Sequence, residues 1–254
     1  MRAQNLEPET EALLKRLAPS LPQQWEGASA DEIELMEALA SRRLPRFYRW
    51  FLERMGRSMG PLRYPTLDFS VDRVLSCYEN GLLAPDDRFL LIAYESDVVL
   101  PLHLFYDFQY PERDDARVVS RAFSGGPIHF GFDTLREMLV WGEFLVSRIS
   151  KFPHRCRGTL GGNHDVIARL DPIMGELGFF KPIPTGQRCA IYDQPDAAMK
   201  IRSVAQGPAG PRPVFDLGGA SPEVLQLILG RIAFASAIDV EVRDWIPQPP
   251  TDGG

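Results

Sequence analysis

Apolar positions near the start of the chain recur at helical spacing, and three helices follow from them. Leu13, Leu14 and Leu17 share one side of a helix over residues 6–17, which Pro19 and Pro22 stop. Ser29, with Glu32 three residues later, has the spacing of a capping box, and Ile33, Met36 and Leu39 line one face of a helix over 30–42. Pro45 can open the next helix, because a first turn does not need its missing N–H. In that helix Phe47/Phe51 and Tyr48/Leu52 are i,i+4 pairs, and Gly56 supplies the stop.

The period then changes. Residues 88–94 are a compact apolar run of strand length, 98–106 predict a second strand with an edge or bulge at Pro101, and 117–123 a third. The acidic stretch from Asp107 to Asp115 reads as a loop between them. Asp133 is placed to cap a helix in which Leu135, Met138, Leu139 and Phe144 face a core, running to about Ile149. Residues 150–163, with Pro153, Gly158, Gly161 and Gly162, read as a connecting segment. Beyond it Val166 to Leu177 are amphipathic and closed by Gly178. Strand-like runs follow at 188–192, 198–204 and 213–217, then a helix from Ser221-Pro222 and a β-rich stretch from Ile238 to Val242.

The pattern predicts an α+β fold, an antiparallel sheet flanked by helices, followed by a second small α+β unit. The expected division is a helical extension at 1–26, a first domain at 27–150, a linker at 151–162, a C-terminal unit at 163–246 and a disordered tail at 247–254.

Composition narrows the class. Of 254 residues 44% are hydrophobic, enough for a core, so wholesale disorder is excluded. The best apolar run, Phe89 to Tyr94, is far short of the ~18–20 residues of a membrane span, and the N-terminus lacks the apolar stretch of a signal peptide. A cytoplasmic protein without a membrane partner is expected. The net charge of −6 is unevenly distributed: residues 1–150 hold 17 Lys+Arg against 23 Asp+Glu, and residues 151–254 hold 11 of each. A nucleic-acid partner would need a basic footprint, so none is expected.

Catalytic signals are weak. Gly162-Asn163-His164-Asp165 looks like the Asn-His block of calcineurin-like metallophosphoesterases, but a dinuclear centre needs many more ligands. His164 is the last histidine, and none of His103, His129 and His154 stands in a D-x-H string, so the tetrapeptide reads as a polar turn. There is no nucleophile elbow, P-loop or G-x-G-x-x-G. Cys77, Cys156 and Cys189 form no C-x-x-C pair and read as reduced thiols, although Arg155 and Arg157 flank Cys156 and could lower its pKa. The expectation is no catalytic residue, no metal ligand, no cofactor and no enzymatic activity. The alternative in another class is a hydrolase built from His129, His154, His164 and nearby acids between the two units.

One non-catalytic pattern carries more. Glu32-Ile33, Met36-Glu37, Leu44-Pro45, Phe47-Tyr48, Phe51-Leu52 and Met55-Gly56, in that order, resemble the opening of the SUKH superfamily. Leu91-Ile92-Ala93-Tyr94 with Pro101-Leu102-His103-Leu104-Phe105-Tyr106 is similar to its central hairpin. Phe132-Asp133-Thr134-Leu135-Arg136-Glu137-Met138-Leu139 is similar to its closing segment. The resemblance covers about residues 27–150 and departs at an insert around Pro111–Ala116 and over the whole C-terminal unit.

The resemblance implies a protein-binding module, in bacteria an immunity protein that neutralises a toxin and in fungal relatives a regulator acting through protein contacts. A regulatory scaffold without a toxin partner is therefore the nearer alternative. The acidity of residues 1–150 suits a basic toxin domain such as a nuclease. The candidate partner-binding residues are Asp97, Asp107, Glu112, Asp114 and Asp115, with Arg113 the one cation among the last four.

Overall fold

A reciprocal pair of hydrogen bonds starts the second helix: Glu32 N donates to Ser29 Oγ at 3.3 Å and Ser29 N to Glu32 Oε2 at 2.6 Å. The capping box is thus formed, and Arg57 adds a 2.7 Å ion pair to the same carboxylate. The Arg57 bond and the two bonds with Ser29 hold the Glu32 carboxyl down at about 2. The computed structural model describes residues 6–62, 64–112, 114–161, 165–204, 212–236 and 238–247. Of the expected tail at 247–254, all but Pro247 lies outside these residues.

By its internal contacts the chain divides between Val140 and Trp141. The first unit opens with α1 (Leu6–Leu17), α2 (Ala30–Ala40) and α3 (Arg46–Met55). After β1 (Leu67–Asp68) and α4 (Val71–Glu79), the chain enters β2 (Phe89–Glu95), β3 (His103–Glu112), β4 (Asp115–Ala122) and β5 (Gly125–Phe132). These strands form one antiparallel sheet in the order β1-β2-β3-β4-β5, each paired with its neighbour in sequence.

Burial explains why α3 is fixed to this sheet. Phe47, Tyr48, Phe51, Leu52 and Met55 are all buried, and the Tyr48 ring stands edge-on to Tyr106 of β3 at 5.0 Å. Each such side chain contributes roughly 1.5–3 kcal/mol of burial. Helix α4 was not apparent from the sequence, although Val71, Val74, Leu75 and Cys77 are buried at helical spacing.

Helix α5 (Leu135–Ser147) carries the chain across the division. Its first turn is capped by Thr134, whose Oγ1 accepts from Glu137 N at 3.1 Å, one residue beyond the expected cap.

The second unit continues through a 3-10 turn (Ile149–Lys151) into β6 (His154–Gly161), α6 (Val166–Glu176), β7 (Cys189–Gln194), β8 (Ala197–Val204), β9 (Arg212–Gly219), α7 (Pro222–Ser236) and β10 (Asp239–Ile246). The strands form an antiparallel sheet in the order β10-β6-β9-β8-β7. The stretch expected to be a linker at 151–162 therefore contains β6, which is paired on both sides. Gly158 is there for space: a Cβ on it would stand 2.2 Å from Glu241 O and 2.8 Å from the Phe215 ring. One face of the sheet carries Cys156, Leu160, Tyr192, Met199, Ile201, Phe215 and Leu217, packed with α6 and α7 into one apolar core.

The fold is thus α+β in both units, as the hydrophobic pattern predicts. Among the described residues no helix is long and apolar enough to cross a membrane.

Candidate functional sites

The five acids expected to bind a partner do not form one surface. The segment from Asp107 to Asp115 is the end of β3, the tip of a hairpin and the start of β4, not a loop. Asp107 is buried, and its two oxygens accept Arg88 Nε and Nη2 at 2.8 Å each. Asp115 is buried as well. Its Oδ1 accepts from the Tyr106 hydroxyl at 2.7 Å and from Ala116 N at 2.9 Å, and its Oδ2 from Arg136 N at 3.1 Å. Neither acid is placed to contact a partner, because a buried carboxylate enclosed by donors of its own chain has no acceptor position left to offer. Glu112 and Asp114 stay exposed at the hairpin tip. Asp97 is exposed at the other end of β3, which at about 3.4 Å per residue separates it from them by the length of the strand.

The segment around Asp97 has a more telling character. The expected strand at 98–106 begins only at His103, and the residues before it form a projecting turn. Val98, Val99 and Leu100 are 89%, 87% and 63% exposed. Three consecutive aliphatic side chains in water are unusual, and here the backbone holds them out. Asp97 Oδ1 accepts from Val99 N, Glu95 Oε1 from Asp97 N, and Leu100 O from Leu102 N. Ser96 is tied to Thr66 O by both its amide and its hydroxyl. The tip is an aliphatic knob preceded by two acids, Glu95 and Asp97.

The histidines are scattered. His103 is buried, stacked on Phe123 at 3.7 Å, and its Nδ1 accepts from Glu95 N. His129 is exposed on β5 and His154 half-buried on β6. Gly162, Asn163 and His164 lie outside the described residues, while Asp165 caps α6 by accepting from Ala168 N. Among the described residues no three His, Cys, Asp or Glu side chains are grouped to hold a metal ion.

The second unit holds the charged cluster that the sequence did not reveal. On the sheet face opposite the apolar core, cross-strand pairing aligns Lys200 of β8, Asp216 of β9, Arg157 of β6 and Asp244 of β10 in one row. Arg157 Nε donates to Asp216 Oδ1 at 2.7 Å, and Lys200 Nζ lies 3.6 Å from Asp216 Oδ2. Lys200 is fully buried, its ammonium 3.1 Å from the centroid of the Trp141 ring of α5. Burial pulls the Lys200 ammonium down to about 8, partly offset by Asp216. Burial likewise lowers Arg202, whose guanidinium lies 5.5 Å from the same ring.

The signal was present in β8, where Lys200 and Arg202 alternate with Met199 and Ile201, but sequence alone could not say what covered the polar side. Cys156 corrects an expectation: strand alternation turns Arg155 and Arg157 away from it, and burial pushes its thiol up to about 12. An inert core thiol results.

Neither a family model nor a curated protein matches the chain.

Proposed function

We propose that the chain is a protein-binding module of the immunity type, which neutralises a bacterial toxin by stoichiometric binding through its first unit. The observation that carries this reading is the aliphatic knob Val98-Val99-Leu100, held out just after the acids Glu95 and Asp97. Apolar side chains exposed on a pinned turn gain free energy when a partner covers them, and the preceding carboxylates select a socket with a basic rim. The order of elements in the first unit supports the likeness to SUKH proteins. A capped helix, the Leu44-Pro45 break, an aromatic helix, an antiparallel sheet and a closing helix follow one another as that resemblance implies.

The test is growth rescue in a bacterium producing each toxin domain encoded beside the gene. The native chain is expected to restore growth, and Val98→Asp with Val99→Asp to abolish rescue without changing the melting temperature. Equal rescue by both chains would remove the knob from the interface. No rescue by the native chain would end the immunity reading, and a stable complex with a protein that is not a toxin would favour the regulatory scaffold.

A further inference from the structure

The second unit contains a cleft of about 360 Å³, at the small end of the range for small-molecule sites. Arg155 and Arg157 of β6 form its floor, with Asp216 beside them. Leu145 of α5 and Ile149 of the 3-10 turn make one wall, and Ile246 of β10, opposite Arg155 in the strand register, the other, while the neighbouring Trp245 turns its ring to the apolar core on the other face of the sheet. Two apolar walls over a cationic floor are an amphiphilic arrangement.

The floor is electrostatically incomplete. Asp216 already accepts from Arg157 and has Lys200 at 3.6 Å on its far side, so its charge is fully matched. Asp244, exposed at the rim, stands opposite Arg157 in the strand register. Arg155 has no ion-pair partner among the described residues, and its Nε is buried without a hydrogen bond. Of the two guanidinium groups that line the cleft, Arg157 is thus held by Asp216, and Arg155 brings an unmet donor. A buried guanidinium N–H without an acceptor is costly, and a ligand oxygen would relieve it.

We propose that this cleft binds a small carboxylate with an apolar body, the carboxylate against Arg155 and the hydrocarbon between Leu145 and Ile149 on one side and Ile246 on the other. One guanidinium with an unmet donor suits a monoanion. A dianionic phosphate would carry its second charge toward Asp216 and Asp244. The neighbouring Cys156 faces the other side of the sheet, so the binding is non-covalent.

The experiment is calorimetric titration of the full chain with 3-phenylpropionate, its amide 3-phenylpropionamide, and phenyl phosphate, repeated on Arg155→Met. The acid is expected to bind saturably, with the amide on the order of tenfold weaker, the difference made by one charge-assisted hydrogen bond. Arg155→Met, which keeps the aliphatic stem, should weaken the acid by a similar factor and leave the amide unchanged. Equal affinity for acid and amide, no binding of the acid, tighter binding of phenyl phosphate, or undiminished binding by Arg155→Met would each overturn the proposal. Should the variant not fold, the acid–amide comparison on the native chain decides alone.

Discussion

Lys200 is enclosed beneath Trp141, its ammonium 3.1 Å from the ring centroid, and it shares the site with one carboxylate that Arg157 already holds. The cation–π contact and Asp216 compensate part of its desolvation, not all of it, as the lowering to about 8 shows. Arg157 of β6 and Cys189 of β7 are the other titratable groups that act on the ammonium.

That arrangement makes stability depend on alkaline pH. The unfolded chain keeps the Lys200 proton up to about 10.5 and the folded chain only to about 8, so the unfolded state binds more protons between these values. Stability should therefore rise from about pH 8 to about pH 10.5, by on the order of 3 kcal/mol from this group. Lys200→Met should remove that rise and raise stability at neutral pH by about 1–3 kcal/mol. Urea unfolding across this pH range checks both.

Asp115 works in the opposite sense. Burial pushes its carboxyl up to about 6 from an ordinary 3.8, against the lowering by its hydrogen-bond donors. The folded state holds the proton more tightly, so this group's contribution to stability is greatest below about pH 4 and is lost as pH rises to about 6. Asp115→Asn should abolish that decline. Asp115→Ala leaves the Tyr106 hydroxyl and the Ala116 and Arg136 amides without their acceptor, at an expected cost of about 2–4 kcal/mol in denaturant unfolding.

The acids of the β3–β4 hairpin should separate cleanly by burial. Asp107→Ala removes a two-bond partner of Arg88 and should cost about 1–3 kcal/mol, with Asp107→Lys unfolding the domain. Asp114→Lys, on an exposed side chain, should stay within about 0.5 kcal/mol of the native chain. Parallel thermal melts of the three variants would show whether the hairpin tolerates charge only at its tip.

Two glycines should respond with opposite signs. Gly158→Ala forces a Cβ onto Glu241 O and the Phe215 ring, and should cost about 2–4 kcal/mol by parting β10 from β6. Gly175→Ala, within α6 and with nothing within 4 Å of the new Cβ, should stabilise by about 0.5–1 kcal/mol. Melting temperatures of both variants give the comparison.

These residues also show what the sequence could and could not tell. Helices α1 to α3 were legible because caps and apolar spacing are local, and strands β7 to β9 because their apolar runs are dense. Gly158 was misread because a glycine that makes room for a neighbouring strand looks the same, in sequence, as one that loosens a loop. Asp107 and Asp115 were misread because their partners, Arg88 and the Tyr106–Arg136 donors, are brought to them only by strand pairing and helix docking. Strand β5, mostly exposed and interrupted by Gly125, Gly126 and Pro127, offered no alternation to detect.

The division falls in the middle of α5, and Trp141, the residue that roofs Lys200, stands just past it. A gene rearrangement that joined the second unit to a different partner at the glycine-rich stretch would leave this indole behind and uncover the ammonium. Crossover points that preserve the lysine's cover lie upstream of Trp141, within or before α5. The heritable block is thus longer than the sheet it contains, and gene fusions or swapped halves should be cut ahead of Leu135.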